Sequence, residues 1–195
     1  MSKRLALLLF ATLPVGALAA PESFTLDPYH TLPHFSVDHL GLSTVSGRFD
    51  KTTGKVTFDR AAKTGSIELV IPTATVTTGD ADKGSRPRSR DEHLRTSDFF
   101  NVAEFPQMTF KSNKVHFTGD NPSSIDGELT LLGVTKPLTL TILRFKCNPA
   151  SGNNKERCGG DATGKLKRTD FGMKTGVPSV SDEVTLTIAF EGNKD

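Results

Sequence analysis

The chain predicts an all-β protein, an antiparallel barrel of about eight strands with one or two short helices. Three observations carry that expectation. Short runs in which apolar and polar residues alternate recur from Ser23 to the C-terminus, the period of strands with one buried face. Most runs are separated by Gly, Asn, Asp or Pro turn signals rather than by helical stretches. A single clear helix start interrupts them, at Ser89.

Residues 1–19 fall outside this pattern. Lys3 and Arg4, the apolar run Leu5 to Leu13 and the small-x-small set Ala17-Leu18-Ala19 read as a secretory signal peptide. Pro21 argues against a cut after Ala20, so cleavage is expected between Ala19 and Ala20. One domain then occupies 20–195, long enough for a sizeable core. The apolar run is too short to span a bilayer, and no Cys follows the cut to carry a lipid anchor.

The strands follow in order. Phe24 and Leu26 alternate with polar neighbours, as do Phe35 and Val37, Val56 and Phe58, and Ile67, Leu69 and Ile71. Thr57, Glu68, Thr130, Thr139, Thr141, Thr185 and Thr187 suit the opposite, solvated faces, while Val70 and Leu132 break the alternation. Thr78 to Arg88 is loop-like in composition, and its length suits a lid or rim. Ser89 with Glu92 forms a capping box, so a short helix should start there and end near Phe100, before Asn101 and Pro106. Phe99 and Phe100 are expected to point in different directions, one plugging the barrel end and one under the next loop. Met108 and Phe110 resume the strand pattern. Val115 and Phe117, Leu129 and Leu131, then Leu138, Leu140 and Ile142 continue it, and Leu186, Ile188 and Phe190 close it.

Charge narrows the partners. Of 24 basic residues, Lys3 and Arg4 lie in the signal peptide, leaving 22 against 22 acidic ones. A formally neutral domain gives no support to a nucleic-acid partner. A neutral surface permits a homodimer without requiring one. In an oxidising compartment Cys147 and Cys158, close in sequence and flanked by strand-like segments, suit a disulfide clasping a hairpin loop. Such a closure is worth roughly 3 kcal/mol.

Five ordered motifs then carry a resemblance. Asp27-Pro28-Tyr29-His30-Thr31, the run His39 to Phe49, the run Arg90 to Phe100, the run Gly127 to Pro137, and Arg168-Thr169-Asp170-Phe171-Gly172-Met173 resemble the motifs of the YceI-like family, in the same order. The resemblance implies a lipocalin-like antiparallel barrel exported to the bacterial periplasm. It implies a long isoprenoid lipid, a polyprenyl phosphate or a quinone tail, held inside as ligand, with no other cofactor and no catalytic residues. Transient membrane contact fits such a carrier. The Leu32-Pro33 pair departs from the commoner pattern, so the first strand is expected to break early.

The expected tunnel is lined by Phe35, Val37, Leu40, Leu42, Phe49 and Phe58 from the first strands. Leu69, Ile71, Leu94, Phe99, Phe100, Met108 and Phe110 follow, with Leu129, Leu131, Leu140, Ile142, Leu186 and Ile188 from the last strands. Candidates for the polar head group are His30, His39, Arg90, Asp91 and His93, with Arg95 beside them. Arg offers paired charged donors to a phosphate. The same charges equally suit a purely structural role around the helix.

No metal site is expected from His30, His34 and His39, because Pro33 precludes a helix there and His39 would face away from the other two in a strand. Ser43 and Ser97 lie near histidines, but there is no Gly-x-Ser-x-Gly elbow, so a lipid hydrolase is a weaker reading than a binder. Another amphiphile, a fatty acid or amide, is the alternative ligand. A barrel filled by its own side chains would bind nothing.

Overall fold

Alternation becomes strand geometry over nearly the whole of the computed structural model, which describes residues 21–195. The expected signal peptide over 1–19 and the expected cut after Ala19 lie outside the described residues. The strands are β1 (Glu22–Leu26), β2 (Leu32–His39), β3 (Ser43–Phe49), β4 (Thr53–Asp59), β5 (Thr64–Pro72) and β6 (Val76–Thr77). After the helix α1 (Arg90–Leu94) come β7 (Gln107–Thr118), β8 (Asn121–Leu131), β9 (Val134–Asn148), β10 (Arg157–Lys167) and β11 (Glu183–Lys194).

These eleven segments make eight staves of one closed barrel. β2 pairs with β3 while β1 pairs with β4, and β4 pairs with β5 while β3 pairs with β6. The pairs β1/β2, β3/β4 and β5/β6 are therefore each one interrupted strand. From there β7, β8, β9, β10 and β11 follow as antiparallel neighbours, and β11 closes on both β1 and β2. Closure leaves no free sheet edge around the circumference.

The first stave does break, but upstream of Pro33. The interruption is Asp27–Thr31, where the Tyr29 N–H donates to the Asp27 carboxylate and the His30 N–H to the Asp27 carbonyl. Across the gap the Thr31 hydroxyl donates to the Glu191 carbonyl at 3.1 Å and accepts from the Glu191 N–H at 3.2 Å, so a side chain stands in for the missing ladder. Pro33 stays inside β2, paired to Ile188 on one side only; the ladder to β3 begins at His34. A residue without an N–H is tolerated where no donor is needed.

Two irregularities re-aim side chains. In β7 the register slips between Lys111 and Lys114, so Phe110, Val115 and Phe117 all turn inward despite the break in parity. In the β9–β10 ladder a slip beside Ala162 leaves Leu143 63% exposed while Ile142 and Phe145 face the interior. Both are bulges, in which an extra residue flips the alternation.

The helix is shorter than expected. Ser89 caps it with both hydrogen bonds of the capping box, but it stops at Leu94 rather than near Phe100. From Arg95 the backbone coils through overlapping turns, with Phe100 N–H on the Leu94 carbonyl and Asn101 N–H on the Thr96 carbonyl. Asn101 then takes a left-handed conformation, φ 43°, which redirects the chain toward β7. In that coil adjacent side chains are not forced apart, and both Phe99 and Phe100 reach the barrel interior. Two 3-10 turns, Thr73–Thr75 and Arg168–Phe171, complete the helical content among the described residues.

Candidate functional site

Inside the staves lies a cavity of about 470 Å³, within the roughly 300–1,000 Å³ usual for small-molecule sites. Its wall is built by the inward set of each stave, and its lining is overwhelmingly apolar. Every expected tunnel residue except two lines it. Leu40 and Leu42 do not: they occupy the β2–β3 turn, 56% and 82% exposed, where the alternation that would aim them inward has ended.

Space survives partly because small residues face the largest ones. A side chain at Gly47 would overlap the Phe35 ring, and one at Gly127 the Phe110 ring. Glycine at these cross-strand positions lets each ring lie against the sheet instead of crossing the lumen. Phe35, Phe49 and Phe100 then form one cluster, with Phe49 and Phe100 edge to face at 5.3 Å.

The two ends differ. At one end Phe24 stacks on Phe58 at 5.1 Å and Phe58 meets Phe145 edge-on at 6.2 Å. Arg60 lies over the Phe58 ring and bridges Glu22 and Glu156, and Lys194 bridges the same two carboxylates. The Cys147–Cys158 disulfide joins directly opposed residues of β9 and β10 beside this cluster.

At the other end the lining becomes polar. Arg90 and His93 from α1, His39 from β2 and Arg168 from the second 3-10 turn line the cavity there. His34 also borders the cavity, and no carboxylate does among the described residues. The His93 ring is 2.8 Å from the Asp98 carboxylate, which also meets Arg88; the His93 bond, with these positive neighbours, holds Asp98 below the ordinary carboxyl range. Phe99 packs edge-on to the His93 ring at 5.0 Å. Arg168 is only 5% exposed and donates to three backbone carbonyls, those of Ser181, Thr175 and Val180. Burial lowers its pKa from the ordinary value and Asp182 opposes the change, yet a guanidinium stays charged.

Three expected head-group residues take other roles. The Asp91 carboxylate turns away from the cavity to the end of β6 and the residue after it, accepting from the Thr77 hydroxyl and from the N–H and hydroxyl of Thr78. Arg95 donates to the carbonyls of Ala74 and Val76, tying the same region. His30 sits in the β1–β2 interruption with its ring 2.9 Å from the Asp27 carboxylate, outside the cavity, because the broken strand carries it off the inward face. Thr78 to Arg88 forms the rim, cross-braced by the Arg86–Asp80 pair.

Two clusters have metal-ligand composition. Asp27, His30 and Glu191 bring three ligand atoms together, but Arg157 lies 3.8 Å from Asp27 and 3.2 Å from Glu191 and supplies the positive charge a cation would. The other is Cys147, Cys158 and Glu156, whose two cysteines are already bonded to each other as the disulfide.

The model of the YceI-like domain matches residues 24–192. The chain belongs to the YceI-like family. Protein YceI of Escherichia coli is 38% identical over 98% of both chains. Among solved structures, a Campylobacter jejuni YceI protein is 32% identical, with a TM-score of 0.64 over 81% of this chain and 90% of that one. A polyisoprenoid binding domain from Saccharophagus degradans shares the fold at 17% identity, TM-score 0.62, covering 88% and 98%. This YceI-like barrel also has lining residues beyond the expected set, Val45, Ile125, Leu166, Arg168 and Met173 among them. Val45, Gly47 and Phe49 carry a readable alternation. Arg168 and Met173 carry none, since they sit on and after a 3-10 turn.

Proposed function

We propose that this chain is a periplasmic carrier that holds a long isoprenoid lipid, a polyprenyl phosphate or a quinone with its tail, in the barrel lumen. The observation that carries this reading is the largely apolar cavity, with both of its lining arginines, Arg90 and Arg168, at one end. An amphiphile with a long tail and one polar end matches that distribution. Each buried five-carbon unit contributes up to roughly 4 kcal/mol, at about 0.8 per carbon. Tail ordering and association entropy offset much of it, so a few units suffice for roughly micromolar affinity. The Saccharophagus domain, described as polyisoprenoid binding, supports the assignment through a shared fold.

Binding fits the polar end better than turnover does. His93 is oriented by Asp98, as a general base would be, but among the described residues no hydroxyl is hydrogen-bonded to its ring. The test is native mass spectrometry, with organic extraction, of protein purified from its own periplasm. A prenyl-lipid adduct that survives gentle desolvation and is recovered in the extract is the expected result. A fatty acid or amide in the extract would replace the isoprenoid by another amphiphile. Folded, delipidated protein that takes up no prenyl lipid would sink the carrier reading.

A further inference from the structure

We infer that Arg168 and His39 form a seat for an anionic head group at the end of the lumen, so that the ligand is a prenyl phosphate rather than a neutral quinone; the inference rests on the carrier reading above. Two of the basic side chains at that end already have acids. Arg90 lies 3.6 Å from the Asp80 carboxylate, and His93 lies 2.8 Å from that of Asp98. Arg168 differs from both. It is buried, it lines the lumen, and among the described residues its hydrogen-bond partners are three backbone carbonyls and no carboxylate. Asp182 acts on it from a distance, with its own oxygens taken up by the N–H and hydroxyl of Thr169.

A guanidinium carries five N–H groups. The carbonyls of Ser181, Thr175 and Val180 take one each, at 2.9, 3.1 and 2.8 Å, which leaves two donors and the whole positive charge. Carbonyl dipoles solvate that charge in part but do not neutralise it, and a buried charge with no counter-charge is costly. The wall supplies none, since no carboxylate lines the cavity among the described residues. His39 adds an imidazole beside the arginine. It lines the same cavity and forms a β-bridge with Val180, the residue whose carbonyl accepts from Arg168. The His39 ring has no hydrogen-bond partner of its own among the described residues.

The chemistry of the guest follows from that imbalance. A phosphate monoester brings charged acceptor oxygens that fit a planar fork of donors. A quinone carbonyl accepts a hydrogen bond but brings no charge. With the head group at Arg168, the tail lies along the apolar wall toward the Phe24–Phe58–Phe145 end. A purely structural Arg168, pinning residues 175–181 to the second 3-10 turn, would account for the three carbonyl bonds. It would leave the charge of the ligand without effect on affinity.

The experiment compares two ligands with the same tail, geranylgeranyl monophosphate and the menaquinone with a four-unit tail, by displacement of a neutral naphthylamine dye from delipidated protein. The wild type should prefer the monophosphate by about tenfold or more. Arg168→Gln should lose that preference while holding the quinone as tightly as the wild type does, and Arg168→Lys should keep part of it. Lys165→Gln, on the outer wall where Lys165 pairs with Glu183, should keep all of it. In isotope-labelled wild-type protein the guanidinium signals of Arg168 should move with the monophosphate, a nuclear magnetic resonance readout that stands even where Arg168→Gln does not fold. Equal affinity of the wild type for the two ligands, equal loss of both in folded Arg168→Gln, or Arg168 signals that ignore the monophosphate would overturn the seat and leave the carrier reading standing. Inorganic phosphate that moves those signals where the monophosphate does not would give the site to a free anion and overturn the lipid assignment. Dye displaced from the wild type by neither ligand would remove both the seat and the carrier reading.

Discussion

Asp91 shows how one buried carboxylate organises the rim. It is 2% exposed and receives three hydrogen bonds from Thr77 and Thr78, while its own N–H donates to the Asp80 carbonyl. Burial raises its pKa, but the hydrogen bonds from Thr78 and Thr77 outweigh it and hold the group below the ordinary carboxyl value. A depressed folded pKa means the stabilisation is complete above the unfolded value, about pH 4, and fades as pH falls through the folded one. Asp91→Asn should therefore cost about 2 kcal/mol at neutral pH. The gap to wild type should narrow below about pH 4; urea unfolding at a series of pH values reads it, and a pH-independent gap would contradict the assignment. Its position in the first helical turn is legible from the sequence, but its role there stays open between head group and structure. Which one it takes depends on Thr77 and Thr78, which lie fourteen and thirteen residues away along the chain.

At the level of elements, the β9–β10 hairpin is the long arm of the sheet, and its loop is closed by Cys147–Cys158 across directly paired positions. A closed loop of this length removes about 3 kcal/mol of denatured-state freedom. Reduction, or Cys147→Ser with Cys158→Ser, should lower the melting temperature by about 6–12 °C for a domain of this size. Calorimetry with and without reductant checks it, and an unchanged melting curve would show that strand pairing alone holds the arm. The cysteines were legible because strand-like segments flank them. β10 itself was not, since its inward positions include Gly160, Ala162 and Gly164, and small residues give no apolar alternation. Those residues make sense against what faces them: a side chain at Gly164 would press on Leu140 and one at Gly160 would meet the Arg144 carbonyl. The helix was legible at its start and not at its end. Its cap is local chemistry, whereas its stop depends on the coil that delivers Phe99 and Phe100 to the lumen.

For the whole molecule, lumen length should set ligand length. Val115 lines the cavity in the part of β7 nearest the Phe24–Phe58–Phe145 end, away from Arg90, His93 and Arg168. Val115→Trp should fill space there without touching the polar end. The lost room corresponds to about one five-carbon unit, up to roughly 4 kcal/mol of burial. The mass distribution of extracted lipid should move to shorter tails, with the fold intact by circular dichroism. An unchanged distribution would mean that the tail does not reach β7. The near-neutral charge of the domain bears on none of this, because charge is sorted by position: acids pair on the outer wall, as Glu68 does with Lys111 and Glu183 with Lys165, and stay out of the lumen.

The sequence by itself determined the all-β class, the antiparallel strands, the helix cap, the disulfide pair and nearly all of the inward apolar faces, because alternation, turn residues and capping are local chemistry. Tertiary structure alone decided that eleven segments close as eight staves, that Leu40 and Leu42 leave the wall while Arg168 and Met173 join it, and that His30 and Asp91 turn from the cavity. Those outcomes depend on partners far along the chain, and on whether glycines placed opposite aromatic rings leave room at the centre.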